Sequence, residues 1–230
     1  MAITYVQGNT HLNGGISSLT VAVALGATVG SGNILCVSVG HAGTPSVTVT
    51  DDQSNTYTFV DNLYDGTQVY SFSTFYALNI INAPQTITAT FGASTQYASI
   101  LVDEFSGVAA SSALDGHSIN NGPNTTGNHS GACTTTVNGD LVYGSAVNES
   151  GSGDITAGPG FTQALHISSA FVTEYLIQGT ASSSTESTIT VGNPIDYFIT
   201  AVMCFKAAGG GASQTLLPGL VNYGNLISQG

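Results

Sequence analysis

Alternation with a period of two runs through this chain from one end to the other, and no stretch carries a helical stripe of apolar residues. Alternating or β-branched runs recur at 18–23, 34–39, 46–50, 56–60, 69–78, 86–91 and 97–105. They continue at 134–137, 140–147, 161–167, 171–177, 187–191 and 197–205, and the N-terminal Ile3-Thr4-Tyr5-Val6 reads the same way. A period of two puts successive side chains on opposite faces of a sheet. Gly, Asn, Pro and Asp fill the gaps, where turns need left-handed or fixed backbone angles. Short strands at this spacing predict an all-β sandwich or barrel.

The two halves echo each other at an offset of about 100 residues. Gly32-Asn33-Ile34-Leu35 matches Gly139-Asp140-Leu141-Val142, and Phe75-Tyr76-Ala77-Leu78 matches Glu174-Tyr175-Leu176-Ile177. Thr86-Ile87-Thr88 matches Thr188-Ile189-Thr190, and Val102-Asp103-Glu104-Phe105 matches Val202-Met203-Cys204-Phe205. The preferred reading is one jelly-roll-like antiparallel β-sandwich over residues 1–208, its two Greek keys supplied by halves at about 1–110 and 133–208. Two small sandwiches side by side are the alternative, since half-domains of this size can fold alone. The polar, Gly/Asn-rich stretch 111–132 is expected to be a loop between the halves.

Charge removes more functions than any motif adds. Lys206 is the single basic residue, set against 13 carboxylates, for a net charge of −12. Charged residues are 6% of the chain, against about 25% in an ordinary domain. Tight nucleic-acid binding needs several cations to displace counterions, and a polybasic membrane patch needs the same. Neither partner is expected. With 42% hydrophobic residues there is enough apolar surface for a core, so disorder is a poor fit. No apolar run approaches the roughly 18 residues that span a bilayer. The N-terminus has no positive region of a signal peptide, which predicts synthesis in the cytosol and, for a protein found outside cells, release by lysis or a leaderless route.

After the last predicted strand, Ala207–Ala212 reads as a glycine hinge. The hinge and arm together span 209–230, and the arm is apolar and uncharged: Leu216, Leu217, Leu220, Val221, Tyr223, Leu226 and Ile227. It is too short for a core of its own, so it is expected to dock on another subunit or, alternatively, to complete its own sheet. Lys206 gives trypsin-like proteases one site, beside that hinge.

Candidate chemistry is sparse. Asp51, Asp52 and Asn55 sit in one short turn and offer the oxygens Ca²⁺ prefers, but an Asx-type turn is the stronger reading and no metal is expected. Asp103 and Glu104 are neighbours on one strand and must face opposite ways. Glu104 and Glu174 are a glycosidase-like pair only if the fold joins them; a Glu in a strand is more often a solvated charge. His117 and His129 share the polar stretch, while His11, His41 and His166 are scattered. No nucleophile elbow, phosphate loop or dinucleotide fingerprint occurs. Tyr57, Tyr64, Tyr70 and Tyr97 are the aromatic rings on which a sugar could stack. Cys36, Cys133 and Cys204 lack metal-ligand spacing, and their odd count argues against a disulfide framework; Cys36 and Cys204 read as small core residues.

The strand openings Gly32–Leu35, Val47–Tyr57, Phe75–Ala77 and Glu104–Val108, with the boundary Phe205–Gly211, resemble a loose group of uncharacterised β-rich proteins of bacterial and phage genomes. The resemblance spans roughly residues 1–211 and rests on fold-forming turns. It implies a non-enzymatic surface or virion β-sandwich and carries over no functional residue. The function expected is therefore a structural protein of an extracellular particle: a phage capsid decoration, cement or fibre subunit. It would form a homo-oligomer within a larger assembly such as a capsid or tail, without cofactors. A carbohydrate-binding or adhesive surface module is the alternative, and a hydrolase built on two carboxylates ranks last.

Overall fold

The computed structural model describes residues 2–123, 128–167, 169–193 and 196–209. The arm residues Leu216, Leu217, Leu220, Val221, Tyr223, Leu226 and Ile227 lie outside them. The fold is all-β and antiparallel, and no helix long and apolar enough to cross a membrane occurs among the described residues.

The first half contributes β1 (Thr4–Leu12), β2 (Ser18–Ala24), β3 (Ile34–Ala42), β4 (Val47–Asp51), β5 (Thr58–Asp65), β6 (Tyr70–Ala77), β7 (Thr86–Thr95) and β8 (Ser99–Ser106). The second contributes β9 (Leu114–Pro123), β10 (Leu141–Asn148), β11 (Ile155–Ala157), β12 (Thr162–Ile167), β13 (Phe171–Ile177), β14 (Ile189–Val191) and β15 (Tyr197–Phe205). In the first half a five-stranded sheet runs β1-β8-β3-β6-β5 and a three-stranded sheet runs β2-β7-β4. The second half repeats the order. Its five-stranded sheet runs β9-β15-β10-β13-β12, and β14 pairs with β11 as β7 pairs with β4. The place of β2 is held by the segment around Cys133, which bridges Thr185 and Thr188 through Cys133 and His129. All four echoed sequence pairs fall on equivalent strands: β3 with β10, β6 with β13, β7 with β14 and β8 with β15.

Strand alternation explains the layering. On β8, Ile100 and Val102 point into a core shared with Val21, Val23 and Ile87 of the small sheet. Leu101 and Phe105 point the other way, against Ile199, Leu141 and Phe205 of the second half. On β15, Ile199, Ala201 and Met203 face this seam, while Phe198, Val202 and Cys204 face the second half's outer layer. The central strands of both large sheets, β8, β3 and β6 in one and β15 and β10 in the other, are thus covered on both faces, which is why they read as near-continuous buried runs. Among the described residues no ladder joins the halves; isolated backbone contacts such as the Val108–Ala207 bridge and side-chain hydrogen bonds such as Ser38 to Ser145 and Tyr143 to Asp103 do. The halves have separate sheets and are joined through their core.

Three expectations need correction. The stretch 111–132 is not a loop throughout: Leu114–Pro123 forms β9, laddered along the whole of β15. Its polar residues are half-buried rather than apolar because β9 is an edge strand, so a hydrophobic alternation is missing there. Conversely, 134–137 forms no strand; Thr135, Thr136 and Val137 wrap Asp140 and the 182–185 segment by single hydrogen bonds. Cys133 and Cys204 form a disulfide, their Cα atoms 6.7 Å apart, and Cys36 is the buried free thiol. An odd count rules out complete pairing, not one bond between strands brought together from 71 residues apart.

Candidate functional site

The seam opens at one pole into a cleft of about 460 Å³. The first half supplies Leu12, Ala42, Val69, Tyr70 and Tyr97; the second supplies Val147–Gly151 and Phe171. The position follows from register: Leu12 pairs with Ser99, Ala42 with Tyr70, and Val147 with Phe171, so all these strands end or begin at the same pole. Tyr70 lies across the bare Cα of Gly40, where an added Cβ would meet its hydroxyl at 2.6 Å, and donates to the Tyr97 carbonyl at 3.0 Å.

Two rim residues are held in left-handed backbone, Val69 at φ 58° and Tyr97 at φ 52°. That region is uncommon for any side chain and an outlier for a β-branched one. Both nevertheless present apolar surface to solvent, at 52% and 58% exposure. Backbone hydrogen bonds hold them there: Gly43 N–H donates to the Val69 carbonyl at 2.8 Å, and Tyr97 N–H to the Gly14 carbonyl at 2.6 Å. Strain of this kind persists where surroundings over-determine it, and it clusters at functional sites.

Under the cleft sit two carboxyls, one from each half. Burial works to raise Asp65, but Thr67 N–H, the Asn121 side chain, the Thr67 hydroxyl and Gln68 N–H outweigh it and hold it below the usual range. Glu149 is pushed up to about 8, by burial first and then by the charge of Asp65 and a hydrogen bond to it. Neither Glu149 oxygen meets a donor, and both are sealed from solvent. The acid therefore keeps its proton near neutral pH. The floor of the cleft carries no charge of its own from Glu149, which faces Asp65 across the seam.

The remaining candidates are placed as follows. Asp51 Oδ1 accepts from Gln53 N–H and Asn55 N–H, and Oδ2 from the Asn55 amide and Tyr57 hydroxyl; Asp52 accepts from Gln85 N–H and Asn55 from Ile81 N–H. These oxygens are spent on an Asx-type turn. Tyr57 packs against the first core and bonds Asp51, so it is no sugar platform. Tyr64 and Phe59, both exposed, flank a second groove of about 270 Å³ with Asn62, Ser71 and Ser73. Asp103 and Glu104 do face opposite ways. Asp103 looks into the seam toward the Tyr143, Tyr5 and Thr173 hydroxyls, and burial outweighs them to raise it to about 7.

Glu104 corrects the reading of a solvated strand charge: it is fully buried and accepts from Gly30 N–H, the Asn33 amide and the Gln7 amide. Glu174 is equally buried, raised to about 7 by burial against the opposing bonds from the Ser187 hydroxyl and Gly158 N–H. Each carboxylate serves the outer layer of its own half, and the fold does not bring them together. His117 pairs with Asp61 at 2.6 Å, His129 with Glu186 at 3.4 Å and His166 with Asp154 at 2.9 Å. Buried His41 lies against Phe91, its pKa lowered by burial. Among the described residues no three His, Cys, Asp or Glu are grouped to hold a metal.

Sequence reasoning singled out Tyr70 and Tyr97 but missed Asp65 and Glu149. Asp65 ends β5 just before a polar turn and Glu149 follows β10 in another, Glu149-Ser150-Gly151, and nothing local marks their meeting. No protein-family model matches the chain, and no curated protein shows significant similarity to it.

Proposed function

We propose that this protein is a non-enzymatic structural subunit of an extracellular particle, such as a phage virion decoration, cement or fibre protein, that assembles through its C-terminal arm. The observation that carries this reading is that the eight strand positions of the first half are matched in the second by seven strands and the bridging segment around Cys133, the last of them ending at Phe205. The nested pairing of β1 with β8, β2 with β7 and β3 with β6 in the first half supports reading it as a jelly-roll-like ribbon. The uncharged apolar run from Leu216 to Ile227 follows the last of these positions in the chain. Lys206 and Ala207 are fixed before it: Lys206 N–H donates to Ala113, Ala109 N–H to Lys206, and Ala207 N–H to Asp140. The buried carboxyls support a non-enzymatic role, since each is enclosed by donors or by a second carboxyl. The partners proposed are copies of itself and a larger protein assembly, with no nucleic acid and no membrane.

The test is the solution mass, by light scattering, of the full chain and of a chain ending at Ala208. The reading predicts an oligomer for the first and a folded monomer for the second. Equal oligomers would overturn it.

A specific observation favours a second reading as a carbohydrate-binding surface module. The Phe59 and Tyr64 rings stand exposed beside Asn62, Ser71 and Ser73, giving an aromatic wall with neutral hydrogen-bonding groups. A glycan array, with and without Ca²⁺, on the native protein and Tyr64→Ala tests it: binding lost in the variant supports it, and no binding by either sinks it.

A further inference from the structure

We propose that the seam cleft receives the C-terminal arm of a second copy, so that copies join head to tail. This rests on the arm being an assembly element. It adds where the arm goes and what symmetry follows.

The two ends of the seam differ in what they present. At one pole β15 ends at Phe205 and the backbone is pinned through Ala208 N–H to Gly107, so the chain leaves there. The cleft lies at the other pole, where β3 ends at Ala42 and β10 at Asn148. These strands separate the poles by about 25 Å, at roughly 3.3 Å per residue. Because β15 runs from the cleft pole toward the exit pole, the chain departs heading away from its own cleft. The cleft of a copy stacked beyond the exit pole lies ahead of it, whereas its own requires a reversal along the whole body.

The chemistry of the two surfaces agrees. The walls of the cleft are Leu12, Val69, Tyr97, Val147 and Phe171, and Glu149 beneath them holds a proton. An anionic guest would meet a protein of net charge −12. The segment from Ala212 to Gly230 contains no charged side chain, and seven of its residues are Leu, Val, Ile or Tyr. Its composition suits a water-excluding, uncharged site. Val69 and Tyr97, forced into solvent by left-handed backbone, are the side chains such a guest would cover. An exit at one pole and a receptor at the other form a heterologous contact, which propagates into a ring or a filament rather than closing as a two-fold dimer.

The experiment uses full-length protein. Val69→Gly with Tyr97→Gly strips the cleft; glycine adopts positive φ without strain, so folding is spared, and circular dichroism melting verifies it. Leu216→Asp with Leu217→Asp disables the arm. Light scattering of each is expected to show monomer where the native chain is oligomeric. Mixing the two variants is expected to give a one-to-one dimer, since one sound arm meets one sound cleft. If the arm variant is monomeric but the cleft variant assembles like the native chain, this proposal fails while the arm reading stands. If both variants assemble normally, both fail. A native monomer whose melting temperature falls in either variant would mean that the arm occupies its own cleft, which also overturns head-to-tail joining.

Discussion

The two halves wrap their strands in the same order yet secure their outer layers by different means. In the first, β2-β7-β4 is a continuous three-stranded sheet, and Val21, Val23, Val49, Ile87, Ala89 and Phe91 fill an uninterrupted core against β3, β6 and β8. In the second, the outer layer is the short β11-β14 pair plus isolated bridges, and its apolar contacts split into two small clusters. Polar chemistry replaces what is missing. The Cys133–Cys204 disulfide ties the bridge segment to β15, and Ser187 links Glu174 to Ser130. Asp196 gathers Asn148, Ser152, Gly153 and Asn193 around the 148–154 turn. One strand order thus tolerates an apolar or a polar-and-covalent outer layer, because the large sheet beneath is anchored on its other face by the shared seam.

The sharpest way to break this comparison is to remove the disulfide. Cys133→Ser with Cys204→Ser opens a 71-residue closed loop, an entropic loss of up to about 4 kcal/mol. Hydrogen exchange is expected to show lost protection at residues 128–135 and 182–191 with β2, β4 and β7 unchanged; uniform loss would refute a layer-specific role. Next, Ile87→Ala empties part of the continuous core and is expected to cost about 3 kcal/mol in urea unfolding. Ile189→Ala, in a cluster of fewer side chains, is expected to cost less. The reverse order would mean that the second layer is the better packed.

Acid strength gives a smaller, global effect. Asp103, Glu149 and Glu174 are raised in the folded protein, to about 7, 8 and 7. Unfolded carboxyls ionise near pH 4, so between there and about pH 8 the native state holds protons that the unfolded state lacks. Stability therefore falls as pH rises through that window. Asp65 and Asp196 are lowered by their hydrogen bonds against the opposing effect of burial, so their contribution is lost as pH falls below the ordinary carboxylate range. Melting temperature is expected to peak near about pH 4 and decline toward about pH 8; a flat or rising profile over that window would contradict the buried acids. Smallest is the response to trypsin. Lys206 is paired through its backbone on both sides and its side chain meets Asp115 at 2.9 Å, so slow cleavage is expected in the native protein, and rapid cutting would show that the region opens.

Much of the strand set was legible because its strands carry apolar and β-branched runs bounded by turn residues. The run 171–177 coincides with β13 and 197–205 with β15, as both faces of those strands are covered. The polar edge strand β9 was hidden for the opposite reason: Asp115-Gly116-His117-Ser118 has no alternation, and its ladder to β15 depends on backbone groups that composition does not report. The seam was legible only as an echo between halves. That the echoing sheets pack face to face, and that Asp65 and Glu149 meet beneath a cleft, are tertiary facts with no local signature.

Two sandwiches are fused through one buried seam, with Phe105, Leu141, Tyr143 and Phe205 on one side of its middle and Phe72, Leu101 and Ile199 on the other. Differential scanning calorimetry of the chain ending at Ala208 tests it most directly. The account predicts one transition whose calorimetric and van't Hoff enthalpies agree. Two resolved transitions, one per half, would show that the seam is a contact between independent domains and would contradict it.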